Sequence, residues 1–361
     1  MAKAHYVIPI FVPDLGCPHQ CIFCNQKRIT GQTEIPDALA VKKKIAEFLP
    51  YIPEGEDITV EVAFYGGSFT AVARELQKEL LKPAFEALTG GQINHIRIST
   101  RPDAIDDETL ATLSSYGVSI IELGVQSMDD NVLGMSHRGH TSRDVLRSVA
   151  LVKSWGFTLG LQLMVGLPGD SRASSIATCE EIIALKPDFV RIYPCLVLQG
   201  TELAEKYGQG EYKPWSLEDA VDVCRDLLIS FTRAGIQVIR IGLQPSEEIS
   251  WSGDVMAGPY HPAFRELVES AVAREQIVQL LAKARNQVGA VKQAVFMVPE
   301  TDQSIARGHK NSNIDFLRNQ YSLEEIEFQT IPEAERGFIL LVSANNHELN
   351  LASSRKSMDI H

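Results

Sequence analysis

Three cysteines fall within eight residues, in the stretch Gly16-Cys17-Pro18-His19-Gln20-Cys21-Ile22-Phe23-Cys24, with spacing C-x3-C-x2-C. Thiols this dense either pack as small hydrophobes or bind a soft metal. Packing would need a helix carrying positions i, i+4 and i+7 on one face, whereas Gly16 and Pro18 favour a loop. Structural zinc wants four ligands, commonly in two separated pairs. No second pair follows here, and His19 would have to fold back beside its neighbours to be the fourth. A 4Fe-4S cubane takes cysteine ligands, and three from one loop leave one iron without a protein ligand, open to a substrate. Spacing, turn residues and a position behind a β-like run favour the cluster on Cys17, Cys21 and Cys24. The remaining cysteines are scattered singly, so a second cluster is not expected. Cys179 and Cys224 sit in helical patterns as core residues, and Cys195 follows a strand.

Other groups able to do chemistry stand at the ends of apolar runs. Gly66-Gly67-Ser68 is either a plain turn or a place where backbone approaches a ligand closely. Arg101 has Asp103 two residues on as a ready partner. Gln126 and Tyr193 lie at strand ends, and Arg138 opens a helical stretch.

The elements that must position these groups alternate. Strands are predicted at Tyr6–Val12, Ile58–Tyr65, Ile93–Ser99, Val118–Val125, Thr158–Val165 and Phe189–Tyr193, and helices at Arg74–Leu88, Asp106–Tyr116 and Ser142–Trp155 among others. Alternation of this kind means βα units on a parallel sheet, and the near-continuous apolar strands suit a sheet covered by helices. Periodicity does not separate an open doubly wound sheet from a partial barrel. In both, function gathers at the carboxyl ends of the strands. After about residue 250 the pattern changes. Ser252–Pro262 reads as a connection, Ala263–Arg285 as an amphipathic helix, and Ala294–Pro299 and Gly337–Ser343 as strands flanking a helix at Ser312–Gln320. The expected domains are therefore 1–250 and a small α/β appendage, 251–361, with a frayed end over Ser353–His361.

The chain has 361 residues, 45% of them hydrophobic, which excludes wholesale disorder and coiled coil. A net charge of −12 argues against gripping nucleic acid with the whole surface and leaves room for a local basic groove. No run approaches a transmembrane span and the start does not read as a signal peptide, so no membrane is expected and the cytoplasm is the expected compartment.

The cysteine motif behind the first strand resembles that of radical S-adenosylmethionine enzymes. The resemblance extends through Phe64-Tyr65-Gly66-Gly67-Ser68-Phe69-Thr70, Ser99-Thr100-Arg101-Pro102-Asp103, Glu122-Leu123-Gly124-Val125-Gln126-Ser127 and Arg138-Gly139-His140-Thr141. It continues in Gly166-Leu167-Pro168-Gly169, Arg191-Ile192-Tyr193-Pro194 and Gly210-Glu211-Tyr212-Lys213-Pro214. In order and spacing these are similar to the catalytic subunit of Elongator, and more distantly to oxygen-independent coproporphyrinogen oxidase. The resemblance implies a partial (β/α)6 barrel, a 4Fe-4S cluster on the three cysteines and S-adenosylmethionine on the fourth iron. It implies that Gly66, Gly67 and Ser68 hold the cofactor's amino group, Arg138 its carboxylate and Gln126 its ribose. Gln162 stands where the oxidase relatives carry an acidic residue. Arg101 and Tyr193 would face the substrate. The implied substrate is the wobble uridine of transfer RNA and the implied electron donor a flavodoxin or ferredoxin; the oligomeric state is left open. Lys27, Arg28 and the Arg307–Lys310 region are the basic candidates for RNA contact. Rival readings are a porphyrin or other small metabolite as substrate, and an RNA-binding protein without turnover. Elongator's acetyltransferase domain does not match the residues after Gly258, so acetyl-CoA binding is not expected.

Overall fold

The computed structural model describes residues 4–12, 17, 19–25, 35–53, 55, 57–244 and 249–358. The chain divides into two compact units, Met1–Trp215 with Leu243–Tyr260, and Ser216–Gly242 with His261–His361.

In the first unit, β1 (Ala4–Val12), β2 (Ile58–Gly66), β3 (His95–Thr100), β4 (Val118–Gln126), β5 (Thr158–Val165) and β6 (Phe189–Pro194) pair in chain order, every pair parallel. Helices Ala38–Phe48, Arg74–Thr89, Asp107–Ser115, Ser142–Ser154 and Arg172–Leu185 lie between successive strands, as parallel pairing requires. Short polar residues start all of them but Arg74–Thr89, which follows Ala73. The Asp106 carboxylate accepts from Thr109 N at 2.7 Å, and Thr141 and Ser171 each close a capping box. Two short strands, β7 (Val197–Leu198) and β9 (Val255–Ala257), pair antiparallel. Within this unit the main sheet runs in the order β1-β2-β3-β4-β5-β6, and β8 (Gln237–Ile241) belongs to the second unit. This is the parallel half-barrel that the motifs implied, with the six strands read from the sequence.

The strands are less continuously apolar than expected. Alternate positions (Val62 and Phe64, Ile96 and Ile98, Ile121 and Leu123, Leu161 and Leu163, Val190 and Ile192) are fully buried hydrophobes. The positions between them include Glu61, Arg97, Glu122, Gln162 and Arg191. Because side chains alternate across a strand, one face of the sheet is hydrocarbon suited to helices and the other is polar.

The second unit packs helix Phe264–Val288 with a four-stranded sheet of order β11-β10-β12-β13, formed by β10 (Gln293–Pro299), β11 (Glu325–Ile331), β12 (Phe338–Ala344) and β13 (His347–Ser354). Its core includes Ile277, Leu280, Leu281, Phe296, Val298 and Leu341. β10 and β12 coincide with the two expected strands. β11 and β13 were not expected, because both are polar at every second position. The chain end is also better ordered than its composition suggested. β13 runs to Ser354, a 3-10 turn covers Arg355–Ser357, and Met358 is 1% exposed; residues 359–361 lie outside the described residues.

Candidate functional site

The cysteine loop follows β1 and is tied to the rest of the unit at several points. Ile22 N donates to Ser136 O at 3.3 Å and Leu203 N to Ile22 O at 2.8 Å, while within the loop Cys24 N closes a turn on Cys21 O at 3.0 Å. His19 rests against Gly139 so closely that a Cβ there would lie 2.1 Å from the ring. Cys17 is exposed, Cys21 buried and Cys24 half-buried. Arg138 Nη1 donates to Cys21 Sγ at 3.1 Å. Desolvation pushes the Cys17 thiol up, against a backbone hydrogen bond from Ser68 and the charges of Arg101 and Arg138, while Cys21 beside it adds to the rise. Two of the three thiols, the Gly66–Ser68 turn and two arginines are thus neighbours. Among the described residues no three His, Cys, Asp or Glu side chains converge on a single metal-ion position. A cubane makes a different demand, since each thiolate binds its own iron.

At the glycine motif, Gly66 has φ +108°, and a Cβ would sit 2.7 Å from the Val12 carbonyl oxygen. Gly67 N donates to that same oxygen at 2.8 Å. Both the dihedral and the contact require glycine, so Gly66→Ala should destabilise the protein by about 1–3 kcal/mol. A urea midpoint equal to wild type would show that the strand ends are further apart than this. Ser68 is buried, its hydroxyl 2.8 Å from Thr100 Oγ1 and accepting from Arg101 N at 3.2 Å. The hydroxyl therefore ties β2 to β3, and only its backbone N–H addresses Cys17.

Arg101 forks onto Asp103 through Nε at 2.9 Å and Nη2 at 3.0 Å, and Nη2 also donates to the Arg138 carbonyl. Burial works against the Asp103 charge, and Arg101 more than offsets it, leaving that carboxyl below its usual range. Arg138 Nη2 donates to Gly124 O at 2.6 Å. Gly124 leaves room for its neighbours, because a Cβ would come 3.0 Å from Gln126 Nε2 and 3.4 Å from Arg138 Nη2. A bulge between Gly124 and Gln126 and a φ of +68° at Gln126 end β4, and Gln162 Nε2 donates to Gln126 Oε1 at 3.4 Å. Gln126, Gln162 and Arg138 are thereby gathered around the ends of β4 and β5.

His140 was quoted in the sequence only as part of a motif. It is 3% exposed, its Nε2 lies 3.1 Å from the Val125 carbonyl, and Nδ1 has no partner. Donation from Nε2 leaves Nδ1 bare and the ring neutral. Burial, helped by Arg138 and Arg101, pushes its pKa down to about 4. A depressed histidine pKa means that the unfolded chain binds the proton first, so stability falls as pH drops from about 6.5 towards 4. His140→Gln preserves the donor without the titration. Between pH 7 and 5 the wild type should lose on the order of 1–3 kcal/mol relative to this variant in urea melts; parallel pH profiles would place the proton elsewhere.

The sequence reading missed the polar face of the half-barrel. Arg97 Nε lies 2.7 Å from Glu61 Oε1, its Nη2 2.8 Å from Glu61 Oε2 and its Nη1 3.2 Å from Glu122 Oε2. Arg191 Nε lies 3.0 Å from Glu122 Oε2, and its two Nη atoms donate to Tyr193 OH at 3.2 Å and Tyr65 OH at 3.0 Å. His5 Nε2 reaches Glu61 Oε2 at 3.2 Å. A single charged residue between apolar ones in the middle of β2, β3, β4 and β6 (Glu61, Arg97, Glu122 and Arg191) was the available signal. Tyr193 therefore sits at the end of a charge-balanced chain of hydrogen bonds. Cys195 is 1% exposed, and burial pushes its thiol up to about 12, which makes it inert. Lys27 and Arg28 lie outside the described residues.

Comparison with known proteins gives two family matches. The Radical SAM superfamily matches residues 12–182 and the Radical SAM C-terminal domain residues 187–274. The tRNA uridine(34) acetyltransferase of Methanocaldococcus jannaschii is 28% identical over 255 residues, covering 60% of this chain and 47% of its own length. Human Elongator complex protein 3 is 31% identical over 189 residues, covering 47% of this chain and 35% of its own. The chain spans about half the length of the archaeal and bacterial acetyltransferase relatives it matches. The solved structure of Elp3 from Methanocaldococcus infernus, with an N-terminal deletion, superposes with a TM-score of 0.61 at 23% identity, over 75% of this chain and 63% of that one.

Proposed function

For a chain that belongs to the radical SAM superfamily, we propose an enzyme that modifies transfer RNA, with uridine 34, the base named for its acetyltransferase relatives, as the target. The observation that carries the chemistry is the gathering of Cys17, Cys21, the Gly66–Ser68 turn and Arg138 at the carboxyl end of a parallel half-barrel. The residues fit a 4Fe-4S cluster on Cys17, Cys21 and Cys24 with S-adenosylmethionine beside it. The donors are thiols, and Arg138 Nε and Arg101 Nη1 are buried without acceptors, as a site for an anionic carboxylate would leave them. Bound together, cluster and S-adenosylmethionine supply a 5′-deoxyadenosyl radical able to abstract hydrogen from a substrate.

The chain's own residues bind, orient and exclude water. Gly66 and Gly67 would bring backbone to the cofactor's amino group, and Ser68 fixes that turn through Thr100. Arg138, held by Arg101 through its backbone carbonyl, would take the carboxylate. The amides of Gln126 and Gln162 would serve the ribose hydroxyls, which need groups that both donate and accept. Tyr193, oriented by Arg191, would meet the substrate from β6. A flavodoxin or ferredoxin in the cytoplasm would supply the electron. Among the described residues no helix is long and apolar enough to cross a membrane.

The test is 5′-deoxyadenosine formation by the anaerobically reconstituted protein, with and without transfer RNA. Stimulation by RNA and a changed nucleoside at position 34 are expected. The net charge of −12 favours a second reading, a small metabolite as substrate. Product formation that ignores RNA, together with an unchanged nucleoside profile in a deletion strain, would select it.

A further inference from the structure

In the second unit, the end of β13 and the turn after it border a cavity of about 450 Å³, lined by Thr232, Glu335, Arg336, Ser354, Arg355 and Lys356 among others. Beside it, Glu269 accepts from Arg265 Nε at 2.9 Å and Arg336 Nη2 at 3.0 Å. Asp302 accepts from Arg336 Nε at 3.1 Å and from the Gly337 backbone N–H at 2.5 Å. Both carboxylates are buried and committed to these donors. Arg265 directs its remaining donors to the carbonyls of Val238 and Ile239.

Arg355 has no such outlet. Its side chain is 14% exposed, and its closest carboxylate contact is Glu269 Oε1 at 3.7 Å, outside hydrogen-bond reach. Its Nε is buried with no acceptor. The guanidinium lies against Gly337, where a Cβ would come 2.5 Å from Nε. Four cations (Arg265, Arg336, Arg355, Lys356) meet three carboxylates, and the third, Glu335, is 87% exposed and 3.8 Å from Lys356. Burial pushes the Arg355 pKa down, against Glu269 and Asp302, with Arg336 and Arg265 adding to the fall. A buried Nε–H left without an acceptor is costly, and an oxyanion held in the cavity by the same guanidinium would offset its desolvation.

We propose that this cavity binds a phosphoryl group, with Arg355 and Arg336 on its oxygens and Lys356, Ser354 and Thr232 around it. Guanidinium forks match a tetrahedral oxyanion bidentately, and a third cation with two hydroxyls suits more oxygens than a carboxylate carries. The phosphoryl group belongs either to an RNA backbone or to a small phosphorylated molecule. Neither case depends on the cluster site.

Thermal melts of the full chain with inorganic pyrophosphate, alongside transfer RNA titrations at several salt concentrations, test this. Pyrophosphate should raise the wild-type melting temperature by several degrees at large excess, and R355Q should abolish the shift. K356Q, at a 71% exposed position that leaves the buried cluster intact, should reduce it even where R355Q folds poorly. If RNA is the source, each variant should also bind transfer RNA several-fold more weakly, with a salt slope lower by about one. If a small phosphate is the source, RNA binding stays at wild type while the pyrophosphate shift is lost. Equal pyrophosphate shifts in wild type and both variants would overturn the site. So would the absence of any shift together with unchanged RNA binding.

Discussion

Cys21→Ala, reconstituted anaerobically, should carry less than one iron per chain, against about four for a wild-type cubane, and should form no 5′-deoxyadenosine above background. Cys21 is the most enclosed of the three motif thiols, and it accepts the Arg138 guanidinium at 3.1 Å. Its removal leaves two thiolates, one of them exposed, to hold a cluster already short of a protein ligand at one iron. Arg138→Ala should behave differently. The three thiols remain, so iron stays near wild type, while S-adenosylmethionine affinity falls by about 1.5–3 kcal/mol, the worth of a charge-assisted hydrogen bond. Cys195→Ala, which alters a buried inert thiol, should keep both iron and turnover. A full cluster in Cys21→Ala, or its loss in Cys195→Ala, would sink the assignment of ligands.

The site was legible where chemistry forces residue types into short stretches. Three cysteines on one loop and a Gly-Gly after a strand depend on neighbours in the sequence, and the left-handed φ at Gly66 with its contact to Val12 explains why that glycine stands out. What was not legible depends on distant partners. The ring of His140 takes its character from Val125, Arg138 and Arg101. Gln126 adopts a positive φ that no local signal announces. β11 and β13 carry polar residues at alternate positions and need β10 and β12 beside them to be strands at all. Arg101 pairs with Asp103, a partner its spacing already offered, whereas its contact to the carbonyl of Arg138, far along the chain, had no local sign.

The polar face of the half-barrel yields the second large effect. Arg97→Met should destabilise the protein by about 3–5 kcal/mol, because it strands buried carboxylates rather than merely deleting a contact. Side-chain exposures are 4% for Arg97, 0% for Glu61 and 3% for Glu122. Glu122 would retain Arg191, but Glu61 would retain only His5. In the wild type, burial opposes the Glu61 charge while His5 and Arg97 hold its pKa below the ordinary value. A carboxyl with a depressed folded pKa contributes stability above its unfolded pKa and loses that contribution as pH falls through the folded one. In Arg97→Met the balance reverses, since burial remains and the principal cation is gone. Glu61 should then take up a proton on folding, and the variant's deficit against wild type should shrink as pH drops from 7 towards 5. Glu61→Gln in the same background removes the stranded charge and should recover part of the loss at pH 7, a coupling that a double-mutant cycle in urea isolates. Iron content should stay near wild type, since the cysteines are untouched. A deficit that is the same at both pH values and unrelieved by Glu61→Gln would mean that water reaches these carboxylates and that the inner face holds no charge out of solvent.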